Sequence, residues 1–275
     1  MKSNSGGTAP PYIGGETVAR MQQIVVRGVV LRETETREAD KILTVLTDEC
    51  GKIPVIARGA RRKGCKFAAS TQPLVYSEWT LYEKGEWYYV NEASTLELFS
   101  GLRSNLDAMA LGFYFAELLE AVTSPDLPAT ELLRHLLNGL YALSALPRPH
   151  PLVKAAFECR LLSLAGYEPL ADSCAYCGNL DPEIPMMDVT HGVLRCGHCG
   201  VKEGGLSMSL CPDSLAALRH VIYGEPKRLY HFTLGRDALQ RFSAMAEAFT
   251  LTQMERKFRT LDFYHEIQSV ESQEI

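Results

Sequence analysis

Short runs of apolar, β-branched and aromatic residues fill the first third of the chain, and apolar residues recur at helical spacing over most of the rest. Between Gln22 and Leu98 five such runs read as strands: Ile24 to Leu31, Lys41 to Thr47, Lys52 to Ala57, Leu74 to Tyr82, and Trp87 to Val90. Gly28 inside the first run predicts a bulge or a bend. Asp48-Glu49-Cys50-Gly51 turns the second strand into the third, and Lys84-Gly85 turns the fourth into the fifth. Five short strands so close together predict a small closed barrel, because closure removes exposed edges. The five-stranded Greek-key barrel that binds oligonucleotides, the OB-fold, is the natural candidate.

After Ser100 the period changes. Leu102, Leu106, Met109, Ala110, Phe113 and Phe115 lead into Leu118-Leu119, with Asn105 or Ser104 as N-cap. Thr130 opens a second helix, and Leu152 to Ala165 is a third, stopped by Gly166. Helical pattern resumes after Pro212-Asp213, and one long final helix is expected from Arg236 towards Thr260. The fold class is therefore α+β: a disordered leader (1–20), the barrel (21–98), a helical bundle in two parts (99–173 and 206–262) around a cysteine-rich insertion (174–205), and a solvated acidic tail (263–275). The leader lacks the basic start and apolar stretch of a secretion signal. The notable apolar run Ala108–Ala116 stops at Glu117, far short of a membrane span.

The cysteine insertion carries the strongest local signal. Cys174-Ala-Tyr-Cys177 and Cys196-Gly-His-Cys199 are two CxxC turns, each followed by a glycine, Gly178 and Gly200. Two disulfides or two redox pairs are the competing readings, but paired turns with their own glycines favour one tetrahedral zinc ion on four thiolates. Four thiolates leave no open position for water, so the ion is expected to be structural. An insertion this short cannot hold a core, and the metal is expected to substitute for one. Cys50, Cys65, Cys159 and Cys211 are scattered and read as free thiols. This cysteine usage fits a reducing, cytoplasmic setting.

Net charge is -5, which announces no polyanion ligand, but it hides an asymmetry. Lys52, Arg58, Arg61, Arg62, Lys63 and Lys66 fall in a segment without an acid, five of them in the loop after the third strand. Such a loop can lay guanidinium and ammonium groups along a phosphate backbone, with Gly59 and Gly64 giving it mobility. Tyr76, Trp79, Tyr82, Trp87, Tyr88 and Tyr89 follow, and exposed rings stack on bases. Alternation divides these rings: Trp87 and Tyr89 share one face and Tyr88 the other, so at least half are structural. Arg103, Arg134 and Arg160 offer a fainter second cationic surface on the helices. No GxxxxGK[ST] loop, GxGxxG turn, GxSxG elbow or zinc-deaminase pairing is present, and no positive argument for an enzyme emerges.

Taken in order, these segments resemble the bacterial RecO family of DNA repair proteins from Met21 to His265. The resemblance runs through Arg27-Gly28-Val29-Val30-Leu31, Glu38-Ala39-Asp40-Lys41-Ile42, Glu49-Cys50-Gly51-Lys52, Ala57-Arg58-Gly59-Ala60-Arg61-Arg62 and Gln72-Pro73-Leu74. It continues in Phe157-Glu158-Cys159-Arg160-Leu161-Leu162, Gly166-Tyr167-Glu168-Pro169 and the four knuckle cysteines. The resemblance implies a non-enzymatic recombination mediator with an OB barrel, a helical domain and a zinc insertion. It implies binding of single- and double-stranded DNA and annealing of complementary strands. It also implies work with RecR, contact with the acidic C-terminal tail of single-stranded DNA-binding protein, loading of RecA, and a nucleoid-associated place in the cytoplasm. Arg58, Arg61, Arg62, Lys63 and Lys66 are the expected DNA contacts. After Arg62 the chain reads Lys63-Gly64-Cys65-Lys66-Phe67, which departs from the family's hydroxyl-rich stretch but keeps its charge. The competing classes are a zinc-ribbon transcription or protein-interaction factor, in which the knuckles make the contacts, and a metal-dependent hydrolase. Few cations near the knuckles (Arg195 and Lys202) disfavour the first, and four thiolates disfavour the second.

Overall fold

The computed structural model describes residues 23–36, 39–125, 127–199 and 205–271; the leader, Gly200, Lys202 and the last four residues of the expected tail lie outside them. Five strands, β1 (Gln23–Glu35), β2 (Lys41–Thr47), β3 (Lys52–Ala57), β4 (Tyr76–Lys84) and β5 (Trp87–Glu97), close a barrel in the order β1-β2-β3-β5-β4. Every pairing is antiparallel except the closing one, where β3 and β5 run parallel through Val55↔Tyr88 and Ile56↔Tyr89. That is the expected OB-fold barrel. Its interior is filled by alternate residues, among them Val30, Leu43, Val45, Val55, Trp79 and Leu81.

Gly28 is not the bulge. It keeps register with Thr47 and Ser77, and the register shift falls between Val30 and Arg32. Gly28 serves a close approach instead: a Cβ there would lie 2.6 Å from the Leu46 carbonyl oxygen. Its own carbonyl accepts the Trp79 indole N–H at 3.4 Å, which satisfies the one polar atom of a fully buried ring.

Among the described residues seven α-helices follow: α1 (Ser100–Arg103), α2 (Leu106–Val122), α3 (Thr130–Ala145), α4 (His150–Leu164), α5 (Pro212–Tyr223), α6 (Arg236–Met254) and α7 (Arg259–Glu271). Asn105 caps α2, its Oδ1 accepting the Ala108 N–H at 2.8 Å. The bundle does not sit apart from the barrel. Val29, Leu31, Leu46 and Leu74 share one continuous core with Leu102, Leu111, Phe115 and Phe157 of the helices. Gly112 on α2 leaves the space that Leu74 enters. Within the bundle, Phe115 and Phe157 stack in parallel, and the buried His135 lies on Phe157 at 4.3 Å with Nε2 against the Phe157 carbonyl. Burial brings the His135 imidazole down to about 4, so it is a neutral core ring at neutral pH.

Two expectations about the C-terminal part need correction. The single long helix is two, because Glu255 adopts a left-handed conformation (φ 50) that ends α6. Residues 263–271 are not a solvated tail: α7 folds back onto α2, Thr260 donates from N and Oγ1 to Glu117, and Phe258, Leu261 and Tyr264 are buried. Where α4 packs on α2 and α6, Lys154 and Glu158 are buried as an ion pair at 2.9 Å. Glu247 binds Lys154 at 2.8 Å, and Tyr114 donates to Glu158 at 2.7 Å.

The cysteine insertion forms a three-stranded sheet, β6 (Pro185–Asp188), β7 (Val193–Cys196) and β8 (Ser207–Ser209), in the order β7-β6-β8. It is not coreless apart from the metal. Met187, Val189 and Leu194 are buried in the main core, and Arg219 of α5 donates to the carbonyls of Ala171, Asp172 and Leu180 and to Asp181. Among the described residues no helix is long and apolar enough to cross a membrane.

Candidate nucleic-acid interface and metal centre

The loop from Arg58 to Pro73 is a succession of tight turns. Arg62 N–H reaches the Gly59 carbonyl, Cys65 that of Arg62, Ala68 that of Cys65 and Thr71 that of Phe67. Gly59 (φ +65) and Gly64 (φ +82) supply the left-handed positions. The expected mobility is therefore replaced by anchoring. Asp40 Oδ1 accepts the Gly59 N–H at 2.6 Å, Ala60 is buried in the barrel core, and Phe67 packs against the same core. A fixed framework holds the charges, so their spacing belongs to the fold.

The expected cations are not equivalent. Arg61 is committed within the barrel: its guanidinium pairs with Glu35 at 3.1 Å and donates to the Thr36 carbonyl. Lys52 points the other way and donates to the Glu120 carbonyl at 2.6 Å. Arg58, Arg62, Lys63 and Lys66 are exposed and have no ion pair or side-chain hydrogen bond among the described residues. These four line one groove of about 580 Å³ together with Cys65, Phe67, Asn91, Glu92 and Ala93. Among the fainter candidates, Arg134 pairs with Glu131 and Arg160 donates to the Ile222 carbonyl at the end of α5, while Arg103 is exposed.

The aromatic residues divide as the alternation requires. Trp79 is buried inside the barrel, Tyr88 packs against its core, and Tyr76 packs against the helical core. On the outer face Tyr82 and Tyr89 are direct cross-strand partners, and their rings stack at 5.2 Å with an interplanar angle of 14°. The Arg58 guanidinium lies over Tyr89 at 4.8 Å, and Trp87 stands exposed at the hairpin.

In the insertion, the Cys174, Cys177, Cys196 and Cys199 sulfurs lie within 4.8 Å of one another. The separations are 3.9 Å for Cys174–Cys199, 3.7 Å for Cys177–Cys196 and 3.3 Å for Cys196–Cys199. A tetrahedron with metal–sulfur bonds of about 2.3 Å has edges near ~3.8 Å, so the donor set fits a zinc-sized ion. None of these distances approaches the ~2.05 Å of a disulfide. Burial pushes the Cys174 thiol up, but backbone N–H groups of Tyr176, Cys177 and Cys196 outweigh it and bring it down to about 6, while its hydrogen-bonded neighbours Cys196 and Cys177 push Cys199 up, so without a metal the four sulfurs share protons. Gly178 (φ +71) makes the turn under the first pair. His191 is turned to Asp188 at 2.8 Å and stays out of the set. Arg195 is buried between Asp188 and the Tyr176 ring, so it is withheld from any ligand of the insertion.

With this geometry in place, the comparisons are direct. The family model described as Recombination protein O N terminal matches residues 21–99, and Recombination protein O C terminal matches residues 103–262. The chain belongs to the RecO family. Proteins called DNA repair protein RecO align with it over most of both lengths. The one from Acetivibrio thermocellus is 29% identical over 88% of this chain and 96% of its own length. That from Heliobacterium modesticaldum is 33% identical over 80% and 81%, and that from Symbiobacterium thermophilum 30% over 89% and 97%. A role in DNA repair and recombination follows from RecO membership. So does the assignment of the N-terminal barrel as an OB-fold.

Sequence reasoning missed a second groove, of about 680 Å³, between barrel and bundle. Arg32, Lys52, Arg256 and Arg259 surround it, with Glu33, Glu117 and Glu120, and Phe113 reaches it from α2. Arg32 pairs with Glu120 at 3.0 Å and Arg256 with Glu117 at 3.7 Å. These cations lie on β1, β3 and the α6–α7 junction, so no local pattern brings them together.

Proposed function

We propose that this protein is a non-enzymatic recombination mediator that binds single- and double-stranded DNA on its barrel and anneals complementary strands. With RecR, it then helps RecA load onto strands coated by single-stranded DNA-binding protein. The observation that carries the DNA-binding part is the set Arg58, Arg62, Lys63 and Lys66: four cations without an ion pair among the described residues, on an anchored loop, around one groove. Phosphates drawn there release counterions, and no chemical fuel is needed, because base pairing supplies the free energy of annealing. Arg61 contributes mainly by fixing the loop to Glu35. For the acidic C-terminal tail of the coat protein, the groove between barrel and bundle offers Phe113 in its wall and Arg259 at its rim, while Arg32 and Arg256 there would have to exchange Glu120 and Glu117 for the tail.

The decisive assay is annealing of complementary oligonucleotides coated with single-stranded DNA-binding protein, with no nucleotide present, against a coat protein lacking its acidic tail. Acceleration that weakens with the truncated coat protein is expected. No acceleration with either coat sinks the mediator reading, and chelator-sensitive strand cleavage in the same tubes would favour the hydrolase class.

For the four cysteines we propose one structural Zn²⁺ held by Cys174, Cys177, Cys196 and Cys199; when bound it supplies cross-linking and no chemistry. Cys196→Ser is expected to reduce zinc from one per chain towards none and to lower the melting temperature by roughly 5 °C, the shift that 1–2 kcal/mol produces in a chain of this size. Metal analysis beside calorimetry checks both, and unchanged zinc content would refute the ligand set. Because Met187, Val189 and Leu194 anchor the insertion in the main core, the barrel is expected to stay folded in this variant.

A further inference from the structure

The groove on the barrel has chemistry that phosphate binding does not use. Register sets it up. Tyr82 and Tyr89 are paired across β4 and β5, and Ile56↔Tyr89 across the closing seam places Arg58, two residues on, over the same face. The result is a cluster of three planar groups in which Tyr89 touches both the Tyr82 ring and the Arg58 guanidinium. Arg58 also lines the groove, as does Glu92, yet the two make no ion pair. The guanidinium carbon thus lies over the Tyr89 ring, and the group has no ion pair or side-chain hydrogen bond among the described residues. Phe67 and Ala93 give the groove apolar surface, and Asn91 and Glu92 place an amide and a carboxylate beside it. Its volume of about 580 Å³ falls within the range of small-molecule sites.

We propose that this groove is a slot for a single unstacked nucleobase. The base lies on the free face of the Arg58 guanidinium, which Tyr89 and Tyr82 back, while Arg62, Lys63 and Lys66 hold the flanking phosphates. An arginine plane suits this role because it stacks and carries charge at once, where a lysine supplies charge alone. Bases in a duplex are covered on both faces and cannot enter, so the slot selects single strands, ends and extruded nucleotides. The inference deepens the DNA-binding reading and rests on it.

The test uses the full chain, a fluorescein-labelled 12-mer, and the same 12-mer with its central nucleotides abasic, titrated at two salt concentrations. The wild-type protein is expected to prefer the intact strand by roughly 10-fold, the scale of one stacked base. Arg58→Lys keeps the charge and is expected to leave the salt slope in place while bringing that preference to about one. Tyr89→Leu, which removes the backing ring, is expected to reduce the preference in the same direction. Binding by the wild-type protein without any preference, or a preference that survives Arg58→Lys, overturns the slot and leaves phosphate binding standing. No binding of either strand by the wild-type protein overturns the DNA-binding reading, and the slot with it.

Discussion

Alanine at Arg62, Lys63 and Lys66 together is expected to weaken binding of single-stranded DNA about 100-fold at 0.1 M salt. Each phosphate neutralised on a single strand contributes about 0.7 to the slope of log K against log salt, so three cations contribute about two powers of ten at that concentration. The slope should fall by about two units, a readout that a folding defect would not mimic. The three side chains are exposed and make no contact that the fold depends on, so thermal stability should hold. Arg61→Ala makes an informative companion. Its guanidinium is already paired with Glu35, so it should affect slope less and loop stability more. Fluorescence titrations at four salt concentrations decide the matter. An unchanged slope in the triple variant would remove the loop from the interface.

Glu158→Ala is expected to cost about 3–5 kcal/mol of folding stability, the scale of breaking a buried ion pair on one side. Both Lys154 and Glu158 are almost wholly out of water. Burial acts to lower the Lys154 ammonium's pKa, but Glu158 and Glu247 outweigh it and hold it above its usual value. Without Glu158 the lysine keeps only Glu247, and the Tyr114 hydroxyl loses its acceptor. Lys154→Met with Glu158→Leu removes the fully buried pair and should recover part of the loss, since Glu247, which then loses Lys154, is partly exposed and keeps His265 at 3.1 Å. Urea unfolding of the single and double variants measures the difference. A single variant as stable as the parent would mean that solvent reaches the pair.

What the sequence revealed divides by the range of the interactions. The barrel was legible because strand patterning is local and Lys84-Gly85 and Asp48 to Gly51 punctuate it. The four cysteines were legible because each CxxC turn is self-contained. Helix α7 is not: the acids of this segment, Glu266 and Glu271 among them, look like a solvated tail, whereas Leu261 and Tyr264 at helical spacing are the buried stripe. Nor could sequence separate Arg61 from Arg62, since the difference is a carboxylate on β1, twenty-six residues earlier in the chain. The groove rimmed by Arg32 and Arg256 takes one wall from Arg259 and Thr260, where α7 returns to α2.

The side chains of Val29, Leu31 and Leu46, interlocked with Leu111 and Phe115, deny the barrel any swivel against the bundle. A nucleic acid bound to the barrel as proposed would therefore take a set bearing relative to everything mounted on the helices. A partner on the bundle would then turn that nucleic acid with it, as one turns a tool by its handle.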